Sequence, residues 1–206
     1  MIGLIDAKSG NIGSVVNALD QLNLQYSIIT KKDQFKSNMK LILPGVGSFY
    51  RLMKNLEKLD MLVVLKDMIS QGTPYLGICV GMQVLFSVGL EDKQSEGLGI
   101  LKGRVIKFTK KPEAKIPLIS WIKVETPKDS EKNLILQNCG EMNFYFLHSY
   151  FCEVEDQKCI VAYSKYDNEK YAAIVNKDNI YGVQFHPEKS LKSGIKILDN
   201  FSKINA

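Results

Sequence analysis

Cys79 stands at the centre of Gly77-Ile78-Cys79-Val80-Gly81, between a run that reads as a buried strand and one that reads as the start of a helix. A G-x-C-x-G spacing at such a junction is that of a nucleophile elbow, with a thiol in place of the usual hydroxyl. A sharp strand-to-helix turn strains the nucleophile's backbone and brings neighbouring chain close, so glycines two positions either side remove side chains that would collide. The nucleophile is then presented at the carboxyl end of its strand, where open α/β sheets bind ligands. It also meets a helix N-terminus, whose dipole favours the thiolate.

A cysteine hydrolase needs a general base, and only His148 and His186 are available. His186 lies in Gly182-Val183-Gln184-Phe185-His186-Pro187-Glu188-Lys189-Ser190. Two residues apart in extended chain, His186 and Glu188 point to the same side, and Pro187 restricts His186 to extended conformations. A carboxylate beside an imidazole fixes its tautomer and stabilises the imidazolium, the orienting role in a triad. His148, in Tyr145-Phe146-Leu147-His148-Ser149-Tyr150, is the rival base and reads better as a structural histidine. Acyl transfer also needs donors for an oxyanion. The N–H of Val80 is the expected first donor, and the Pro44-Gly45-Val46-Gly47 turn, through Val46 and Gly47, is the expected source of the second.

These groups need a scaffold that delivers strand ends to one place. The first half alternates strand-like and helix-like runs: Ile2–Asp6, Ile12–Leu22, Tyr26–Ile29, Leu41–Leu43, a mostly helical stretch from Leu52 to Ile69, Tyr75–Ile78, and a further helix beginning over Val80–Phe86. The second half is richer in strands, at Arg104–Phe108, Phe144–Leu147, Cys159–Tyr163, Tyr171–Val175 and Ile180–Phe185, before a closing helix near Gly194–Ile204. The expected class is α/β, with a mostly parallel central sheet flanked by helices and additional antiparallel strands in the second half. With 206 residues and no Pro-, Gly- or Ser-rich linker, a single domain over residues 1–206 is expected.

Composition narrows the function classes. The net charge of +5 is carried mainly by lysine, without a long basic run or arginine-aromatic array, so nucleic-acid binding is not indicated. Cysteines at 79, 139, 152 and 159 have no C-x-x-C spacing and only two histidines accompany them, so no metal site is expected. No apolar run approaches the ~18 residues of a membrane span, and Met1–Asp6 does not read as a secretory signal. A cytoplasmic chain with reduced thiols is the expectation.

Gly77-Ile78-Cys79-Val80-Gly81-Met82-Gln83, the Pro44–Gly47 turn and Phe185-His186-Pro187-Glu188-Lys189-Ser190 together resemble the class I, triad-type glutamine amidotransferases, in the order Cys, His, Glu. Within that family the wording P-G-V-G, G-M-Q and F-H-P-E-K-S is similar to the glutaminase subunits of imidazole glycerol phosphate synthase. The resemblance implies glutamine hydrolysis without a cofactor. Gly47, Gln83, Glu91, Ser149 and Tyr150 match positions that hold substrate glutamine, and Trp121, Tyr145 and Lys189 match positions facing a partner. That partner is a (β/α)8-barrel cyclase that takes up the ammonia, in a heterodimer, for histidine biosynthesis. Two segments depart from the family's wording. Leu118-Ile119-Ser120-Trp121-Ile122 stands where H-M-G-W-N is usual, and Asp6-Ala7-Lys8-Ser9-Gly10-Asn11 stands where D-Y-G-x-G-N is usual. The first departure keeps open a paralogue that supplies ammonia to a cyclase-like partner making amidino-sugars for surface polysaccharides. A free-standing cysteine hydrolase or peptidase, and a regulatory subunit without activity, are the readings from other classes.

Overall fold

The computed structural model describes residues 1–91, 93–109, 115–167 and 169–205. In the first half β1 (Ile2–Ile5), α1 (Ile12–Gln21), β2 (Tyr26–Ile29), β3 (Lys40–Gly45), α2 (Phe49–Lys58), α3 (Met61–Ser70), β4 (Tyr75–Cys79) and α4 (Val80–Gln83) follow one another. In the second half come β5 (Phe86–Gly89), β6 (Ser95–Glu96), β7 (Leu101–Lys107), β8 (Leu118–Lys123), β9 (Asn143–His148), β10 (Tyr150–Val154), β11 (Ile160–Tyr166), β12 (Glu169–Lys177), β13 (Ile180–Val183) and α5 (Leu191–Lys203).

The main sheet has the order β11-β12-β13-β4-β3-β1-β2. Its run from β2 to β13 is parallel, while β12 and β11 add antiparallel at one edge. The chain steps from β1 outward to β2, then from β3 outward the other way to β4. Right-handed crossovers in opposite directions put α1 and the α2–α3 pair on opposite faces of the sheet. Strands covered on both faces must be apolar throughout. Accordingly β1, β4 and β13 are buried at every position. A four-stranded sheet, β10-β7-β5-β6, and a β8-β9 hairpin pair complete the strand structure. No helix among the described residues is long and apolar enough to cross a membrane.

Register explains where the site forms. Gly45 of β3 lies opposite Cys79, and Val183 of β13 lies opposite Ile78. Three neighbouring parallel strands therefore end together, and the segments that leave them are the Pro44–Gly47 turn, the cysteine elbow and the histidine segment.

Four local expectations need correction. The helical stretch from Leu52 to Ile69 is two helices, because α2 closes at Leu59 and Asp60 turns left-handed with φ 55°, a conformation that aspartate tolerates better than most residues. The helix expected over Val80–Phe86 stops at Gln83, and Phe86–Gly89 is a strand. Val84, Leu85 and Phe86 are all buried, and a short apolar run carries no period that separates helix from strand. The strand expected to reach Phe185 ends at Val183. β8 and β10 were not anticipated; in β8 only Leu118 is buried, so no alternation marks it.

Candidate active site

Cys79 has φ 55° and ψ −109°, a backbone conformation that costs a non-glycine residue about 1–3 kcal/mol. The chain around it is packed too closely for any side chain at the flanking glycines. A Cβ on Gly77 would run into the Gly81 carbonyl, and one on Gly81 would run into the Leu43 carbonyl. The buried Tyr75 hydroxyl donates to the Gly81 carbonyl at 2.8 Å and holds the turn from beneath. The elbow drawn from the spacing is thus the observed geometry. The helix behind it is one turn long, however, so its dipole supplies less of the thiolate's stabilisation than the spacing implies.

His186 Nδ1 donates to Glu188 Oε1 at 2.8 Å, with both side chains only 2% exposed. Their approach does not come from extended chain. His186 is extended, but Pro187–Lys189 forms a 3-10 turn that brings Glu188 back beneath the ring. Ser190 closes this turn: its hydroxyl donates to the His186 carbonyl at 2.6 Å and accepts the Tyr145 N–H at 2.9 Å. Phe185, stacked on Phe144 with centroids 3.9 Å apart, fixes the segment to β9. Burial opposes protonation of His186, but the Cys79 sulfur and then Glu188 outweigh it and push the imidazole up to about 10. His186 Nε2 makes no hydrogen bond, which leaves it available to a proton in transit.

A cavity of about 190 Å3 opens on the sulfur. Val46, Gly47, Gln83, Glu91, Ser149 and Tyr150 all line it, together with Cys79, Val80 and His148. A half-open hollow bearing a cysteine thiol and a few convergent polar groups is suited to one small polar substrate.

The whole chain matches what is known of one family. The family model for class I glutamine amidotransferases matches residues 3–204. The chain belongs to the class I glutamine amidotransferases. It is 42% identical over 205 residues to imidazole glycerol phosphate synthase subunit HisH 2 of Methanococcus maripaludis, covering 98% of this chain and 99% of that one. It is 40% identical to subunit HisH of Geobacillus sp. over 99% of this chain and 97% of the other. Among solved structures, a glutamine amidotransferase crystal structure superposes with a TM-score of 0.75 at 16% identity, covering 98% of this chain and 97% of that one. PurLQS from Thermotoga maritima superposes with a TM-score of 0.74 at 18% identity, covering 98% and 96%. These two likenesses bear on the fold.

Within this amidotransferase, several expected site residues carry contacts that the sequence did not foretell. Gln83 is almost fully buried, and its amide nitrogen is already engaged, donating to the Tyr150 carbonyl at 2.9 Å and to Gln184 Oε1 at 3.1 Å. Glu91 lines the cavity while accepting the Phe49 N–H at 2.7 Å, at the start of α2. Val46 does not offer its N–H to the cavity: that group donates to the Ser9 carbonyl. The loop bearing Ser9 is pinned by Asn55, whose amide donates to the Ala7 carbonyl and to Ser9 Oγ, both at 2.8 Å. Gly47 follows with φ 103°, a conformation open to glycine at little cost. Val80 opens its helical turn, where an N–H has no carbonyl four residues back to bond.

His148 takes the structural part. Its Nδ1 donates to the Tyr150 carbonyl at 2.9 Å, its ring packs among Phe108, Phe146 and Tyr171, and burial lowers it to about 3. A neutral imidazole so held is a fixture of the cavity wall. Trp121, Tyr145 and Lys189 form one surface cluster. Trp121 pairs with Tyr145 across β8 and β9, their rings edge to face at 6.0 Å, and Lys189 Nζ lies 5.8 Å from the Tyr145 ring centre.

Sequence reading missed Gln184. It is wholly buried beside Cys79, and its amide nitrogen lies 3.6 Å from Cys79 Sγ. The available signal was a polar residue between Val183 and Phe185, both wholly buried.

Proposed function

We propose that this chain is the glutaminase subunit of an imidazole glycerol phosphate synthase, one domain over residues 1–206, working in the cytoplasm for histidine biosynthesis. Its end-to-end likeness to HisH chains, at about 40% identity, carries this reading. Glutamine enters the cavity beside Cys79, with Gly47, Gln83, Glu91, Ser149 and Tyr150 as its binding residues. The Cys79 thiolate attacks the side-chain amide carbon. The oxyanion that forms is stabilised by the Val80 N–H and by a donor from the Pro44–Gly47 turn. His186, oriented by Glu188, gives its proton to the leaving nitrogen, and ammonia departs as the tetrahedral adduct collapses to a thioester. A water molecule, deprotonated by His186, then hydrolyses the thioester to glutamate and releases the sulfur as the thiolate beside the reprotonated imidazole.

The ammonia passes to a separate (β/α)8-barrel cyclase docked over Trp121, Tyr145 and Lys189. There it reacts with a phosphoribosyl-containing substrate to give imidazole glycerol phosphate and an aminoimidazole carboxamide ribotide. The Val46–Ser9 hydrogen bond supports low turnover without the partner, because the second oxyanion donor is turned away until the Pro44–Gly47 turn is repositioned. The test is steady-state glutamine hydrolysis with and without the co-encoded barrel and the histidine-pathway intermediate. Strong stimulation by both together is expected. The departure at Leu118–Ile122, with Ile119 58% exposed beside Trp121, supports the paralogue as a second reading. Binding of the barrel with no stimulation by that intermediate would move the assignment there, to an amidino-sugar pathway.

A further inference from the structure

Cys79 Sγ has two polar neighbours besides the imidazole. The Leu147 carbonyl accepts from the thiol at 3.8 Å, and the Gln184 amide nitrogen donates to the sulfur at 3.6 Å. The orientation of the Gln184 amide follows from its neighbours. Tyr150's carbonyl can only accept, so the Gln83 atom 2.9 Å from it is the amide nitrogen. That same nitrogen lies 3.1 Å from the Gln184 amide, so the Gln184 atom facing it is the oxygen. The NH2 end of Gln184 is thereby aimed at the sulfur, and a flipped amide would set donor against donor.

A glutamine in this place needs a reason. It is 0% exposed between two wholly buried apolar residues, and an amide buried without partners costs about 1–3 kcal/mol. An apolar side chain of that size would fill the position without this demand. What an apolar side chain lacks is an N–H for the sulfur. A donor to sulfur gains most when the sulfur is charged, because charge-assisted hydrogen bonds are about twice as strong as neutral ones. The one-turn α4 leaves room for such a contribution.

Resting on the reading of Cys79 as nucleophile, we propose that Gln184 is a positioning residue: its amide holds the Cys79 sulfur in the thiolate form and ties that state to Gln83 in the substrate cavity. Gln83 has its amide nitrogen on Gln184 and on the carbonyl of Tyr150, itself a cavity residue. Movement of Gln83 on binding glutamine is therefore transmitted to the donor on the nucleophile. The titratable groups around the sulfur are His186 with Glu188 on the segment after β13, His148 on β9 and Cys152 on β10. A substitution at Gln184 removes none of these groups.

The test is the pH profile of Cys79 alkylation by iodoacetamide, measured on the subunit in complex with its partner. A Cys79→Ala protein sets the background from Cys139, Cys152 and Cys159. In Gln184→Met the midpoint is expected to move alkaline by about one pH unit, equivalent to about tenfold slower alkylation at pH values below the parent's midpoint. kcat for glutamine hydrolysis falls by a similar factor while KM changes less than twofold. Gln83→Met, which leaves the Gln184 amide without its anchor, shows a smaller shift in the same direction. A residue that only fills space would leave the profile in place. A Gln184→Met profile superimposable on the parent's overturns the proposal. Should Gln184→Met not fold, Gln184→Leu, which likewise lacks the N–H and adds no charge, decides by the same profile. A Cys79→Ala protein that still hydrolysed glutamine would instead remove the nucleophile assignment, whatever the Gln184 profiles showed.

Discussion

At the scale of single residues, the two histidines are held in opposite states by one physical contest. Burial disfavours the charged imidazole of both. For His148 nothing outweighs it, and the ring stays neutral down to about pH 3. For His186 the sulfur and Glu188 win, and the ring stays protonated to about pH 10. The sign for stability follows. A histidine raised in the folded state contributes fully below its ordinary value near 6.5 and loses that contribution as pH rises through about 10. With only two histidines in the chain, imidazole NMR can follow both. Neither resonance is expected to titrate between pH 5 and 8.5. In Cys79→Ala, loss of the sulfur brings the His186 midpoint downward. A parent His186 that titrated near 6.5 would contradict the ion-pair description. Cys79, His186 and Glu188 were legible in the sequence because each is defined by local spacing. Gln184 was not, because its partners Gln83 and Cys79 are 101 and 105 residues away in the chain.

At the scale of elements, the first loop, the Pro44–Gly47 turn and α2 form one linked unit. Asn55 on α2 holds Ala7 and Ser9, and the Ser9 carbonyl holds the Val46 N–H. Removing the Asn55 amide takes its hydrogen bonds to Ala7 and Ser9 from the loop; the one to Ser9 bears on the Val46 contact and is worth roughly 1 kcal/mol, or a fivefold change in population. Asn55→Ala is therefore expected to raise partner-free glutamine hydrolysis about fivefold and to lower the stimulation by the partner. Unchanged or reduced basal turnover in a folded Asn55→Ala protein would show that Val46 is not limiting. The parallel strands were readable because each is buried along its length, so a short apolar run bounded by turn residues marks it. The elements that escaped reading have other causes. β8 is exposed at most of its positions, and α4 is cut short where Val84–Phe86 turn into the second sheet. The 3-10 turn that carries Glu188 was also hidden, since spacing alone is equally compatible with extended chain.

At the scale of the whole molecule, the exposed face of β8 is where the proposed partner would dock. Ile119 and Trp121 are 58% and 42% exposed, and two residues apart on a strand they share a side. Trp121 rests edge-on against Tyr145, so a large ring is presented already ordered. Aromatic anchors of this kind carry much of an interface's energy, commonly 2 kcal/mol or more, about thirtyfold in affinity. Trp121→Ala is expected to weaken partner binding by about that factor in calorimetric titration. Hydrolysis by the isolated subunit should stay within twofold, because Trp121 does not line the cavity. Equal affinity for parent and variant would move the interface elsewhere.

The buried histidines also settle how the subunit exchanges protons with its surroundings. His148 stays neutral and His186 stays an imidazolium from pH 6 to 8.5, so neither ring takes up or releases a proton across that interval. Cys139, Cys152 and Cys159 are all raised above the ordinary thiol value by burial. These five groups therefore contribute little titration in that interval. A pH dependence of association in that window then does not originate in these five groups.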